Sequence, residues 1–385
     1  MKSRFNFIWV ITIIAIYTFA FILILNFQSC HKEGWIPGTP LPKEKLKIGV
    51  IHINDPFAEH SGYSYAHEMG IQEMQKNIGL ENSNITRKIN VFDGEPGAVE
   101  EAIRDCIAEG ANIIIATSFS YMETCERLAR EFPSVIFAHA SGSKHNDTNF
   151  TNYFGRVYQA KYLSGIIAGM KTKTGKIGFV APWGLENSEV TCSLNAFARG
   201  VERVNPQARI YIKITYNWFD PLGETIAARS LISEGCDIIT QETDSPASQI
   251  EAEKAGVWGI GYNTDMSADA PAAVLTSVLW QWGAYYTSLV RSVIDGTFTS
   301  TPWYGSLKDG IVDLAPLSEI IRGEPEISSL LEEERRRIET GEFDVFSGVM
   351  ETNDGRSIGR EGENLSDYEI RNGINWYYRN VIVMR

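Results

Sequence analysis

Short apolar runs alternate with longer stretches whose apolar positions recur at helical spacing, and the alternation continues along most of the chain. Lys47–Ile53 reads as a buried strand, followed by a polar loop from Asn54 to Tyr63 and a helix from about Ser64 to Ile78. Ile89–Phe92 is the next short strand, and Ala98–Glu109 a helix closed by Gly110. Asn112–Ala116 is a third strand, Glu123–Glu131 a helix stopped at Phe132-Pro133, and Val135–Ala138 a fourth strand. A second series begins at Lys176–Ala181 and continues with strands at 211–216, 237–240, 257–261 and 273–278. Its helices are expected at Ser193–Val204, Gly223–Glu234 and Trp282–Ile294. Trp303–Asp313 reads as a hairpin-like return, Glu326–Thr340 as a charged helix, and Ser366–Tyr378 as a last helix. This is the pattern of the α/β class, with doubly wound parallel sheets. Right-handed crossovers then bring every strand-to-helix loop to one edge of its sheet.

A chain of 385 residues is long for one simple core, and two lobes are expected. Lobe 1 takes 46–154 plus about 279–325, and lobe 2 takes 155–278 plus about 326–385. Ahead of them, Lys2 and Arg4 precede an uncharged apolar run from Phe7 to Leu25, which ends at Ser29-Cys30. A basic start and an apolar core read as a secretory signal over residues 1–29. Cys30 after a small residue resembles a bacterial lipobox, so it is expected to be acylated and to anchor the protein to a membrane. The run is also nearly long enough to stay as an uncleaved anchor. Either way the folded part faces the periplasm or the exterior, with residues 30–45, rich in Pro and Gly, as a linker.

Charge narrows the partners. The formal net charge is -13 and no basic stripe interrupts it, which argues against nucleic acid. Cys106, Cys125, Cys192 and Cys236 have no zinc-type spacing; buried thiols and a Cys106–Cys125 disulfide both stay open. The chain has no G-x-S-x-G, no H-E-x-x-H, no P-loop and no G-x-G-x-x-G after a strand. No catalytic residue, metal site or cofactor is expected.

The strand ends carry the candidate chemistry. Ligands of open α/β sheets bind just beyond the carboxyl ends of the strands. There the sequence places aromatic faces, Tyr63, Phe119, Tyr121, Trp183, Trp218 and Trp280. Polar edge readers accompany them, Asp55, Gln241, Thr243, Asp244 and Asp265. Such a set suits a small, flat ligand in a cleft rather than a reaction centre. Each residue also has a plainer use: an aromatic at a strand end packs the helix layer, and Asp220, Asp244 and Asp265 fit turns or helix caps.

The segments TSFSYMET, YFGRVYQAKYLSGIIAG, TYNWFDP, ITQETDSP and GYNTDMS, in this order behind a leader and Cys30, resemble the basic membrane protein (BMP) family over about residues 46–320. The resemblance implies lipoprotein substrate-binding components of ABC importers, with a type I periplasmic-binding-protein fold closing by a hinge. An ABC permease is the implied partner, and a purine base or nucleoside the implied ligand. Asp265 fits the family's acidic position for a ribose, whereas Asn263 and Met266 depart from its pattern. Trp280 stands where nucleoside binders of the family place a lysine, which favours a free, adenine-like base. Two other readings remain: an exported nucleoside hydrolase using Asp55 and Asp265, and a sensor for another flat heterocycle or a sugar.

Overall fold

The computed structural model describes residues 35–58 and 60–384. The leader and Cys30, with the anchoring expected of them, lie outside the described residues.

The first lobe contains β1 (Ile48–Ile51), α1 (Tyr63–Ile78), β2 (Ile85–Lys88), α2 (Ala98–Ala108), β3 (Ile113–Ala116), α3 (Met122–Glu131), β4 (Ile136–Ala140) and β5 (Phe150–Gly155). The second contains α4 (Val157–Lys171), β6 (Lys176–Ala181), α5 (Ser188–Val204), β7 (Arg209–Ile214), α6 (Pro221–Ser233), β8 (Ile238–Gln241), α7 (Ala247–Ala255), β9 (Trp258–Asn263) and β10 (Val274–Trp280). Then come α8 (Gly283–Asp295), β11 (Trp303–Gly305), β12 (Val312–Leu314), α9 (Pro325–Glu339), the short pair β13 (Met350–Glu351) and β14 (Ser357–Ile358), α10 (Asp367–Gly373) and β15 (Val381–Val383).

One sheet runs β11-β5-β4-β3-β1-β2 and is parallel throughout. The other runs β12-β10-β9-β8-β6-β7-β15, parallel except for the antiparallel β12. The fold is α/β with doubly wound parallel sheets. β1, β3 and β8 are buried at every position, as parallel strands covered by helices on both faces must be. In each sheet the strand order reverses once, at β1/β3 and at β6/β8. Those reversals are where such sheets open a crevice.

The chain passes between the sheets after β5, after β10 and between β11 and β12. The expected hairpin at 303–313 does not form: β11 pairs parallel with β5 in one sheet, and β12 returns to the other. The second sheet thus regains the chain at Val312, well before 325. Two helices of the second lobe pack unusually closely. A Cβ on Gly165 would stand 2.1 Å from the Phe197 carbonyl oxygen, and one on Gly200 2.0 Å from that of Tyr162. Only glycine lets α4 and α5 approach so far.

Candidate functional site

The loops after the strands of both sheets face one another across a cavity of about 530 Å³. From the first lobe come Asn54 after β1, Phe92 after β2, Ser118 and Phe119 after β3, Ser141 after β4, and Phe154 on β5. The second lobe answers with Glu189 at the start of α5, Trp218 and its neighbours after β7, Asp244 after β8, and Tyr262 on β9. The volume falls within the range of small-molecule sites. The backbone is bent to build it. Ser141, Tyr216 and Asn263, all at or just past strand ends, have positive φ values of 60°, 58° and 67°. Non-glycine residues so placed are held there by their surroundings, and they cluster at binding sites.

Tyr63 opens α1 and donates its hydroxyl to the Thr117 carbonyl at 2.6 Å, which fixes its ring against the cavity. The Asp244 amide donates to the Trp218 carbonyl at 2.8 Å, tying the loops after β7 and β8 together. Phe119 is largely exposed and Trp218 only partly buried, so both have ring surface left for a ligand. Behind the wall, Trp280 stacks on Trp282 with ring centres 4.4 Å apart and donates its indole N–H to the Tyr262 hydroxyl at 3.0 Å. It also packs on Phe154, 4.7 Å between centres.

Two carboxyl groups face this apolar space. Asp244 is buried and accepts a hydrogen bond from the Asn263 amide at 2.8 Å. Burial pushes its carboxyl up to about 8; the Asn263 hydrogen bond opposes this and the Glu224 and Glu242 carboxylates add to it. Glu189 keeps part of its surface toward the cavity, and its carboxyl has no hydrogen-bond partner among the described residues. Loss of solvation raises it to about 8 as well, with Glu242 and Asp244 adding and Arg371 opposing. Burial thus biases both toward the neutral form, which can donate a proton in a hydrogen bond.

Of the residues singled out from the sequence, Tyr63, Phe119, Trp218 and Asp244 line the cavity. The others stand elsewhere, for local reasons. Asp55 accepts from the Phe57 amide at 2.9 Å and Asp265 from that of Ser267 at 2.9 Å, so each closes a turn. Tyr121 is buried in the first lobe and donates to the Val91 carbonyl. Gln241 is spent inside the second lobe, donating to the Thr243 and Ser245 carbonyls and accepting from Gln249. Trp183 packs edge-on against Tyr216 with centres 6.4 Å apart. Trp280 supports the wall from behind. Asp220, as read from sequence, caps α6 by accepting from the Gly223 amide. Asp244 caps nothing; α7 begins after Pro246 without a side-chain cap.

Sequence reasoning missed Glu189, Phe154 and Tyr262. Glu189 was hidden because α5 begins at Ser188, five residues before the expected start, with the Asn187 side chain accepting from the Val190 amide. Phe154 and Tyr262 sit within strands rather than beyond them. A search confined to the loops past the strand ends passes over both, and the near-uniform burial of β5 and β9 leaves no alternation to mark them. The cysteines Cys106, Cys125, Cys192 and Cys236 are buried free thiols. Among the described residues no cluster of three or more His, Cys, Asp or Glu side chains is placed to hold a metal ion.

Residues 46–344 match the family model Bmp, described as ABC transporter substrate-binding protein PnrA-like. The chain belongs to the Bmp family. A purine-binding protein of Brucella abortus is 34% identical over 344 residues, covering 89% of this chain and 95% of that protein. A putative ABC transporter glucose-binding protein of Haloferax volcanii is 32% identical, covering 81% and 76%. An ABC transporter solute-binding protein from Conexibacter woesei superposes with a TM-score of 0.63 at 20% identity, covering 78% and 98%. These relatives are substrate-binding proteins rather than enzymes.

The segments that carry the Bmp resemblance meet in space. Lys161, from YQAKYLSG, pairs with Glu242, from TQETDSP, at 2.6 Å, both fully buried. Its ammonium also donates to the Gln241 carbonyl at 2.6 Å and lies 4.1 Å from the centre of the Tyr262 ring. This buried pair therefore sits directly behind a wall of the cleft. It acts by holding Tyr262, not by touching the cavity.

Proposed function

We propose that this Bmp protein captures a purine in its interlobe cleft and delivers it to an ABC permease, from outside the cytoplasmic membrane and held there by its acylated Cys30. The observation that carries the ligand class is the pairing of aromatic faces from both lobes with two carboxyl groups, Asp244 and Glu189, at one cavity, where burial favours the protonated form of each. A purine presents flat faces for stacking, worth about 1–3 kcal/mol per base. Its edge in adenine places a ring nitrogen that accepts beside an amino group that donates. A neutral carboxyl group, with one O–H and one C=O, is the complement of that pair. The 34% identity to a purine-binding relative points the same way.

The cleft closes by relative motion of the lobes, and closure is favoured only by contacts the ligand makes better in the closed form. The glucose-binding relative gives the rival ligand class. A sugar needs many polar partners at once, and the walls of this cavity are mostly aromatic and aliphatic.

The test is native mass spectrometry on the full-length protein purified in mild detergent, followed by calorimetric titration with adenine, hypoxanthine and glucose. A retained purine, or adenine binding without glucose binding, supports the reading. Glucose binding with both purines silent overturns it. Release of free base from an added nucleoside would revive the hydrolase.

A further inference from the structure

The chain after residue 344 lies beyond the segment that the Bmp model covers, and it touches both lobes. Its base is built into the second. β15 pairs with β7, and the Asn195 side chain donates to the Trp376 carbonyl and accepts from the Tyr378 amide, both at 2.8 Å. Asn380 donates to the Ala198 carbonyl at 3.0 Å, and Arg379 pairs with Glu202 at 2.7 Å. Tied to α5 and β7 at so many points, this base moves with the second lobe.

From the base, α10 reaches across to the first lobe, where Arg371 donates to the Gly142 carbonyl at 2.8 Å. That acceptor, just past β4, is rigidly set. Ser141 before it has φ of 60°, the Gly142 amide donates to the Ala140 carbonyl at 2.8 Å, and a Cβ on Gly142 would stand 2.2 Å from His139 Nδ1. α10 also sits on the connections between the lobes. Arg156, just past β5, holds the Asp367 carboxylate with two N–H groups at 2.6 and 3.1 Å and donates to the Tyr304 carbonyl on β11. Two guanidinium groups lie over the Tyr304 ring, Arg156 at 4.6 Å and Arg371 at 5.1 Å from its centre. Where α10 spans the gap, Arg371 and Asn372 share the wall of a chamber of about 490 Å³ with Ser141 and Ser143 of the first lobe and Asn187 and Ser188 of the second.

We infer that the C-terminal segment is a strap that holds the lobes together without ligand, with Arg371 as the fastener that parts when the cleft opens. Arg156, Asp367 and Tyr304 stand at the connections about which the lobes turn, so their contacts can survive opening. The Gly142 carbonyl belongs to the first lobe proper and moves away with it. A guanidinium-to-carbonyl bond is charge-assisted, and its loss shifts the ratio of closed to open forms by on the order of tenfold. The lobes also meet through the Gly62 amide and the Thr264 hydroxyl, a longer contact between neutral groups at 3.3 Å. A strapped cleft is mostly shut when empty, so a ligand enters and leaves through brief openings. The strap therefore acts on the shape of the empty protein and on rates, whatever the ligand is.

The experiment compares full-length wild type with Arg371→Met, which keeps apolar contact with Tyr304 but loses the donor, and with Arg371→Lys, which keeps one. Small-angle neutron scattering in contrast-matched detergent, after exhaustive dialysis and with no ligand added, should show a compact wild type and a larger radius of gyration for Arg371→Met. Arg371→Lys should return toward wild type, which separates the lost donor from a folding defect. Adenine gives the second readout, by stopped-flow tryptophan fluorescence. Its dissociation from Arg371→Met should be about tenfold faster than from wild type, with association no slower. Equal radii for empty wild type and Arg371→Met overturn the strap. Weaker adenine binding through slower association, at an unchanged radius, overturns it as well, because Arg371 would then serve the ligand and not the first lobe. Adenine silent with all three proteins counts against the purine reading alone, and the scattering of the empty proteins still decides the strap.

Discussion

At the scale of single residues, the unusual feature is a carboxyl that stays protonated at neutral pH. Asp244 is held up to about 8 by burial, so it can donate to a ring nitrogen. Adenine affinity should therefore stay level from about pH 5 to 7 and fall as the pH passes about 8. Asp244→Asn keeps a donor without a proton to lose, and its titration profile should be flatter. A wild-type profile level beyond pH 8 would take the acid out of this role. The same shift carries a stability sign. A folded-state pKa above the unfolded one contributes stability at low pH that is lost as the pH rises toward 8. Trp218 gives a simpler test: Trp218→Ala should weaken purine binding by about 1–3 kcal/mol, read by calorimetry, with little change in the melting temperature of the empty protein. Trp218, Phe119 and Asp244 were legible in the sequence because each follows an apolar run that had to be a strand. Asp265 was not separable from them by sequence. It too follows a strand, but the turn at 265–267 engages its carboxylate locally.

At the scale of elements, the interior strands were legible and the edge strands were not. β1, β3, β6 and β8 are continuous apolar runs because both faces are covered. β2 was expected at Ile89–Phe92 but runs Ile85–Lys88, where only Ile85 is buried. β15 is likewise an edge strand with one buried residue, and the last helix, expected to reach Tyr378, stops at Gly373. An edge strand is specified by its partner's backbone more than by its own apolar pattern. Pairings between distant segments were equally hidden, and the Lys161–Glu242 bridge between α4 and the end of β8 is the main case. Lys161→Met leaves the buried Glu242 carboxyl without its partner, so that it must either carry an unpaired charge or take up a proton, and should destabilise the protein by about 3–5 kcal/mol. Adding Glu242→Gln should restore much of that loss, since the unpaired buried acid is gone. Thermal unfolding of the single and double variants checks this. A single variant as stable as wild type would mean that the pair is not holding the wall.

At the scale of the whole molecule, function depends on the lobes meeting, and one glycine stands at the meeting point. Gly62, just before α1, has φ of +88°, and its amide donates to the Thr264 hydroxyl of the other lobe at 3.3 Å. A Cβ there would stand 2.7 Å from the Asp244 carbonyl oxygen. Gly62→Ala thus has two separable effects. The strained φ is present whether the cleft is open or closed, and should lower stability by roughly 1 kcal/mol or a little more. The clash with Asp244 exists only when the lobes are together. A ligand that must close them then works against it, and each 1.4 kcal/mol or so of clash weakens apparent affinity about tenfold. The expected outcome is a modest fall in melting temperature, a purine affinity reduced tenfold or more, and a smaller ligand-induced compaction by small-angle scattering. Because the substituted atom points at the Asp244 backbone and not into the cavity, an unchanged affinity would mean that the lobes need not approach this closely to hold the ligand.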